Sequence, residues 1–234
     1  MKKVFIIAKK EIGEHLNSGQ VFVLSIAFLA MVNSYFAENV FSINKATLYH
    51  VFKILPYVNM VFIPALTMSS FASEFNLGTM ELLVTLPFTR MEIILGKVLG
   101  NLSIYFSLLL STLTYFISIW AIGNPDMGQI FAGYLAALLL GLTLTIIGLF
   151  ASSLSKSSIT GFVVAFIISL FLIYLDQLSH LTRGSLSLLL QNLSIDYHYS
   201  NILKGVIDLR NISYFLSLNL FFGYLLKISF EVRD

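Results

Sequence analysis

Residues 73–97 read S-E-F-N-L-G-T-M-E-L-L-V-T-L-P-F-T-R-M-E-I-I-L-G-K and lie between two long apolar stretches. The segment is too polar to cross a bilayer, yet its pattern is too ordered for a slack linker. Gly78 can interrupt a helix, Thr79 can cap a short helix, and Pro87 would end that helix. The sequence therefore predicts a short helix outside the membrane, between two membrane spans, where it can contact a partner.

A second helix start follows within the same segment. Thr89 and Glu92 have the spacing of a capping box, directly before apolar residues 93–95, so we expect the third span to begin there. Glu81 would lie in the first turn of the short helix, where the helix dipole favours a carboxylate. The apolar side chains of that helix are Leu82, Leu83, Val84 and Leu86. They either fold back onto the membrane surface or dock into a groove of a cytoplasmic partner.

The composition of the whole chain indicates a membrane protein. Of its 234 residues, 57% are hydrophobic and 11% are charged, whereas soluble domains carry about 25% charged residues. The net charge of +2 gives no support to nucleic-acid binding, and the basic residues are scattered at the ends of apolar stretches. Cysteine is absent, which excludes a disulfide framework, a thiol nucleophile and a thiolate metal site.

Six apolar stretches are long enough to cross a hydrocarbon layer of about 30 Å, which requires about 20 residues. They are residues 21–40, 54–72, 93–122, 130–152, 159–175 and 212–230. The second contains Pro56 and Pro64, which membrane helices tolerate as kinks. No repeat or linker divides the chain, so we predict an all-α polytopic membrane protein with a single transmembrane domain over residues 1–234.

Residues 1–19 predict an amphipathic helix that lies on the membrane surface, with a frayed polar tail as the alternative. Its expected apolar face comprises Val4, Phe5, Ala8, Ile12 and Leu16. If both termini are cytoplasmic, nine Lys and Arg residues lie on the inner side and five on the outer side. The positive-inside rule therefore places both termini and residues 73–97 in the cytoplasm.

Residues 176–211 form the long segment on the outer side. Two stretches within it, residues 185–193 and 199–209, are too short to span the bilayer. They would be short helices that dip into, or lie on, the outer interface. A plain solvated loop is the alternative, because periodicity does not separate the two.

The sequence contains no recognisable catalytic motif and predicts no metal site. No Asp, Glu, Lys, Arg or His lies in the middle of a predicted span, which disfavours a proton- or sodium-coupled carrier. Lys97 follows Gly96, but Met91 and Val98 stand where a Walker A loop needs Gly and Ser or Thr. Nucleotide binding by this chain is therefore not expected. Lys97 lies near a span end, where a long side chain can reach water.

The four histidines do not predict a metal site either. His15 follows Glu11, but no second histidine stands at metal-ligand spacing on the same helix. His50, His180 and His198 are expected at solvent or at the outer interface.

Small residues line one face of the third predicted span. They are Gly96, Gly100, Ser103, Ser107 and Ser111, and the first two form a G-x-x-x-G pair. Small residues let helix backbones approach closely, so this face either packs within the bundle or lines a sliding or substrate-lining surface.

Together these motifs resemble the type-2 ABC transporter permeases. Members carry an acidic residue, then G-T-x-E-x-L-L, a Pro, and E-[IV]-[IV]-x-G-K at the start of the third span. The matching positions here are Glu74, Gly78, Thr79, Glu81, Leu82, Leu83, Pro87, Glu92, Ile93, Ile94, Gly96 and Lys97. The N-terminal K-K-E-I-G-E-H-L-N-S is similar to the family's K-E-L-x-x-[YF]-[FL]-x-S, with Gly19 where Pro is usual.

Residues 198–216 resemble the gliding-motility and copper-enzyme-maturation branch of these permeases. That branch usually shows R-G-V-I-D-x-R-D, and here Lys204 and Asn211 replace the first Arg and the last Asp.

The resemblance implies the permease subunit of an ABC exporter in a bacterial or archaeal cytoplasmic membrane. It would pair with a second copy or a homologue and bind two ABC ATPase subunits. ATP and Mg²⁺ would bind to those ATPases, so this chain would carry no cofactor and would not be an enzyme. Residues 73–92 would hold the coupling helix, and residues 176–211 would hold paired re-entrant helices of an outer gate. The expected ATPase-coupling residues are Glu74, Gly78, Thr79, Glu81, Leu82, Leu83, Leu86, Pro87, Arg90 and Glu92.

Two alternatives to an exporter subunit stay open from the sequence. One is an ATPase-coupled mechanotransducing or complex-anchoring membrane subunit that transports nothing. The other is an autonomous channel.

Overall fold

The computed structural model describes residues 2–43, 47–80, 87–206 and 208–232, and every regular element in these ranges is a helix. Six helical segments are long and apolar enough to cross a membrane. They are Gln20–Glu38, Tyr49–Leu77, Arg90–Ala121, Met127–Leu154, Ser158–Ser179 and Leu209–Glu231. Each one coincides with a predicted span, so the prediction of six membrane-spanning helices is confirmed.

The described ranges contain eleven helices. In chain order they are α1 (Lys2–Asn17), α2 (Gln20–Ile43), α3 (Tyr49–Thr67), α4 (Ala72–Leu77), α5 (Arg90–Ser111), α6 (Leu113–Ile122), α7 (Met127–Leu154), α8 (Ser158–Ser179), α9 (Ser185–Leu193), α10 (Ile195–Leu203) and α11 (Leu209–Val232). The expected coupling residues Glu81, Leu82, Leu83 and Leu86 lie outside the described residues.

Gly78 and Thr89, on either side of residues 81–86, have the predicted geometry. α4 ends at Gly78, whose φ of +69° lies in the left-handed region, where a Cβ atom costs roughly 1–2 kcal/mol. The Thr89 N–H donates to Glu92 Oε2 at 2.8 Å, and the Glu92 N–H donates to Thr89 Oγ1 at 3.3 Å. This capping box starts the third span at Arg90, as the sequence predicted.

The third span differs from the prediction in one respect, because its helix is interrupted at Thr112. The Thr112 hydroxyl donates to the Leu109 carbonyl at 2.7 Å and lies 3.1 Å from the Tyr134 hydroxyl. A threonine that bonds back to its own helix competes with the regular hydrogen-bond ladder and often bends the helix. The span therefore consists of α5 and α6 rather than one straight helix.

α7 lies at the centre of the bundle and packs against α3, α8 and α11. Its glycines allow large side chains to come close to its backbone. A Cβ atom on Gly141 would lie 2.1 Å from the Tyr105 ring, and one on Gly148 would lie 2.0 Å from the Thr67 hydroxyl. Tight packing around α7 therefore requires glycine at these positions, because any larger residue would clash with its neighbour.

The outer segment contains two helices, so a plain solvated loop is wrong. α9 has the predicted bounds, whereas the second helix begins four residues and ends six residues earlier than predicted, because Ser194 caps it and Gly205 follows its end with a φ of +85°. On α10, the Tyr199 hydroxyl donates to the Phe52 carbonyl at 2.8 Å. Pro56, four residues after Phe52, has no N–H for that carbonyl, so Tyr199 supplies the missing donor.

His198 is buried, which corrects the prediction that it faces solvent or an interface. Its Nδ1 lies 2.8 Å from Asn211 Oδ1, and its Nε2 lies 3.1 Å from the Asn192 carbonyl oxygen. Its ring also stacks on Tyr214 at a centroid distance of 4.0 Å. Hydrophobicity alone could not show that α9 and α11 supply partners that enclose this imidazole of α10.

Candidate functional site: a buried ion cluster at the start of the third span

The N-terminal helix α1 packs along the first turns of α5. A Cβ atom on Gly96 would lie 2.6 Å from Ile7 Cβ, and one on Gly100 would lie 2.7 Å from Glu11 Cβ. The G-x-x-x-G pair therefore brings the backbone of α1 against α5, which is a packing role within this chain. The rest of the small-residue face, Ser103, Ser107 and Ser111, is exposed and does not contact α1 in this way.

The buried face of α1 differs from the predicted face. It consists of Ile7, Ala8, Glu11 and His15, of which only Ala8 was expected. Phe5 and Leu16 are 75% and 50% exposed, so their apolar surface is left for the membrane. The prediction ranked faces by hydrophobicity and could not foresee that a carboxylate and an imidazole on α1 have partners on α5.

The partner of Glu11 is Lys97, which is 1% exposed. The Lys97 Nζ atom lies 2.9 Å from Glu11 Oε2 and 3.0 Å from Glu74 Oε2, and it also donates to the Ser70 carbonyl. Three chain segments thus meet at one ammonium group: α1, the turn and helix after α3, and the start of α5. The expectation that Lys97 reaches water is wrong.

Polar side chains extend this site, here named the Lys97 cluster and consisting of Lys10, Glu11, His15, Ser70, Glu74, Lys97 and Asn101. The Asn101 amide donates to Ser70 Oγ at 3.1 Å and to Glu11 Oε1 at 3.3 Å. His15 Nε2 lies 3.0 Å from the amide oxygen of Asn101. Lys10 is half-exposed, and its Nζ atom lies 2.9 Å from Glu74 Oε1.

The cluster balances two buried carboxylates with two ammonium groups. Burial alone would raise the pKa of Glu11, but the Lys97 charge and the hydrogen bonds from Ser70 and Lys97 hold it below its usual value. Burial alone would lower the pKa of Lys10, but the hydrogen bond and charge of Glu74 raise it above its usual value. Both groups are therefore ionised at neutral pH.

A buried ion pair contributes little net stability, but removal of one partner typically costs about 3–5 kcal/mol. The Lys97 cluster therefore fixes the relative positions of the segments that it joins. Any other arrangement of α1, α4 and α5 would leave a charge buried without its partner.

The remaining predicted coupling residues lie on both sides of residues 81–86. Gly78, Pro87 and Arg90 are exposed, whereas the Thr79 hydroxyl donates to the Glu74 carbonyl at 3.5 Å. Glu74 itself is 6% exposed and is paired within the chain. Its carboxylate, which the resemblance placed among the ATPase-coupling groups, is thus occupied by Lys10 and Lys97 of the same chain.

Glu74 is the one member of the Lys97 cluster that was predicted as a site residue. Sequence reasoning missed the other six, yet part of the signal was present. They are Lys10, Glu11, His15, Ser70, Lys97 and Asn101. Lys10 and Glu11 belong to the N-terminal motif, and Glu74 and Lys97 belong to the central motif. The structure brings these separate motifs together. Within the described ranges, no group of three or more His, Cys, Asp or Glu side chains could hold a metal ion.

Comparison with known proteins gives a family. Residues 5–218 match the family model of the ABC-2 family transporter proteins, a range that includes most of α1, the Lys97 cluster and the outer segment. A search of curated proteins gave no match. The match is to the family as a whole, and the gliding-motility and copper-enzyme-maturation branch stays a prediction. The family and the six apolar helices indicate a multi-pass membrane component of an ABC transporter. Proteins of this family lie in the bilayer and act with an ABC ATPase. The chain belongs to the ABC-2 family of transporter proteins.

Proposed function

We propose that this chain is the membrane-spanning permease subunit of an ATP-driven exporter. Two such subunits, identical or homologous, pair in the membrane, and two ATPase subunits bind on the cytoplasmic side. ATP and Mg²⁺ bind to the ATPases, since this sequence contains no Walker A loop. The family match and the six apolar helices support this proposal.

The Lys97 cluster is the observation that carries the proposal, because it lies where force from a partner would enter. Residues 81–86 are bounded by α4 on one side and α5 on the other. Glu74 of α4 and Lys97 of α5 are paired at 3.0 Å, and Glu11 ties α1 to the same ammonium group. A push on residues 81–86 therefore moves α1, α4 and the start of α5 together.

This arrangement suits a two-state mechanism in which the energy comes from the partner. ATP binding draws the ATPases together and displaces residues 73–92, and the third span and its neighbours then open the pathway outward. Leu82, Leu83 and Leu86 anchor the segment in the ATPase. Glu81, Arg90 and Glu92 provide charge complementarity for the same contact.

Co-purification from native membranes tests the proposal. An affinity-tagged chain in mild detergent should retain an ABC ATPase that has no membrane spans of its own, and the complex should hydrolyse ATP. Leu82→Asp combined with Leu83→Asp should release the ATPase. The matched control is Leu186→Asp combined with Leu188→Asp, two leucines of α9 that are 62% and 63% exposed and should leave binding unchanged. Retention of the ATPase by the first pair would refute the coupling-helix proposal.

The proposed orientation has its own test. Both termini lie in the cytoplasm if the excess of Lys and Arg on that side sets the topology. A tag inserted at Asn124, between α6 and α7, should then be accessible only from outside the cell. Cytoplasmic accessibility of that tag would reverse the orientation.

A further inference from the structure

A groove lies between the end of α1, the start of α2 and the middle of α5. It has a volume of about 360 Å³, and its walls include Ile12, Leu16, Phe22, Ser103 and Ser107. Leu16 and Phe22 are half-exposed or more, so the groove is open at the surface of the bundle. It lies beside the second half of the small-residue face, the half that does not pack against α1.

The walls of this groove suit a hydrocarbon chain. The Ser103 hydroxyl donates to the Leu99 carbonyl at 2.6 Å, and the Ser107 hydroxyl donates to the Ile104 carbonyl at 2.7 Å. Because each serine is satisfied by its own helix, neither requires a polar group from an occupant. The groove is therefore apolar in character and is lined by residues of two membrane spans and of α1.

A positive charge lies on the exposed apolar face of the adjoining helix. Phe5, Lys9, Ile12 and Leu16 follow one another at steps of four, three and four residues, which places them on one face of α1. Within the described part of the chain, Lys9 has no carboxylate within salt-bridge distance, in contrast to Lys10. A lysine on such a face extends its stem along the apolar surface and directs its ammonium group to the headgroup layer.

We propose that this surface binds one anionic phospholipid from the leaflet in which α1 lies. An acyl chain occupies the groove between α2 and α5, and the headgroup phosphate contacts Lys9. Charge complementarity favours an anionic lipid, since Lys9 lies on the same face of α1 as Ile12 and Leu16, which line the groove. The bound lipid extends the contact of α1 with α5 beyond Gly100, towards Ser103 and Ser107. The proposal does not depend on the ATPase or on the transported substrate.

Native mass spectrometry of the purified full chain tests the two halves of this site separately. The protein is mixed with phosphatidylglycerol and with phosphatidylcholine that carry identical acyl chains, and the bound fraction of each is measured. The wild-type chain should retain phosphatidylglycerol preferentially. Lys9→Gln should lower that preference about fivefold, the effect of one lysine near an anionic surface, and should leave phosphatidylcholine binding unchanged. Lys156→Gln, at an exposed lysine between α7 and α8, is the matched control and should keep the preference.

The groove is tested by filling it. Ser107→Trp should reduce binding of both lipids, whereas Ser118→Trp, at an exposed serine of α6 outside the groove, should reduce neither. Equal retention of the two lipids by the wild-type chain would overturn the headgroup assignment, as would an unchanged preference in Lys9→Gln. Unchanged binding in a folded Ser107→Trp protein would overturn the groove assignment. Because Lys9 is exposed, its substitution tests the proposal even if the tryptophan variant does not fold.

Discussion

Replacement of Lys97 by Met should destabilise the protein strongly, although methionine preserves most of the length and the apolar stem of the side chain. Lys97 is 1% exposed and contacts two carboxylates. In the variant, Glu74 retains Lys10 at 2.9 Å, but Glu11 loses the ammonium group that neutralises it. The main loss of stability in the variant therefore comes from the Glu11 carboxylate, which stays buried without its ammonium partner.

The expected loss is about 3–5 kcal/mol in the free energy of unfolding, the usual cost of leaving one member of a buried ion pair without its partner. Glu11→Gln in the Lys97→Met background should recover at least half of that loss, because it removes the unpaired charge. The matched control is Lys156→Met at an exposed position, which should change stability by no more than about 0.5 kcal/mol.

The assay is unfolding of the purified protein in mixed micelles of rising dodecyl sulfate content, followed by circular dichroism of its helices. The pH dependence of the free energy of unfolding gives an independent test, because its sign should differ between the wild type and the variant. In the wild type the pKa of Glu11 is lowered, so its contribution to stability is present above the unfolded pKa of about 4.3 and is lost as the pH falls through the folded pKa. In Lys97→Met, Glu11 keeps its hydrogen bonds from Ser70 and Asn101 but loses the largest cause that lowers its pKa, the Lys97 charge. Burial should then raise the pKa of Glu11, so acidification from pH 8 to 5 should instead stabilise the variant.

Two results would refute this reasoning. One is a Lys97→Met protein that loses less than about 1 kcal/mol relative to the wild type. The other is a double variant with Glu11→Gln that is no more stable than Lys97→Met alone. Either would mean that Glu11 and Lys97 are not paired in a water-free site.

The same unfolding assay checks three further predictions. Gly96→Ala should cost about 1–3 kcal/mol because its Cβ atom would overlap α1, whereas Gly13→Ala meets nothing within 4 Å and should stabilise α1 by up to about 1 kcal/mol. Asp196→Asn should stabilise the protein at pH 7, since burial and a neighbouring carboxylate raise the pKa of Asp196; the gain should vanish below about pH 4, where the acid is protonated in both states. Tyr199→Phe should cost about 1–3 kcal/mol because the Phe52 carbonyl loses its hydrogen-bond donor, and an unchanged stability would contradict that role.

Hydropathy and capping chemistry predicted much of the fold. The six spans follow from the length of the apolar stretches, because a bilayer imposes a minimum length on any helix that crosses it. The start of the third span follows from Thr89 and Glu92, whose capping box is a local interaction. For residues 185–193 the bounds were right, but periodicity left a short helix and a solvated loop both open, and the structure shows the helix.

The features that sequence reasoning missed depend on contacts between distant residues. Glu11 and Lys97 are 86 residues apart, and nothing local to either shows that they are paired. The buried face of α1 therefore could not be found by hydrophobicity, which ranks Phe5 and Leu16 above Glu11. Tyr199 is a similar case, since its partner is a carbonyl freed by a proline on another helix.

The most direct test of the central claim asks whether α1 and the start of α5 move as one body when ATP acts on the complex. The chain contains no cysteine, so two cysteines can be introduced at chosen positions and spin-labelled without labelling of native residues. One pair joins Gly13 of α1 to Leu99 of α5, and a second pair joins Gly13 to Lys156 between α7 and α8. Electron paramagnetic resonance of the complex with its ATPase should show that ATP changes the second separation and leaves the first unchanged. A change in the separation between Gly13 and Leu99 would contradict the claim that the Lys97 cluster carries force from the ATPase to the third span.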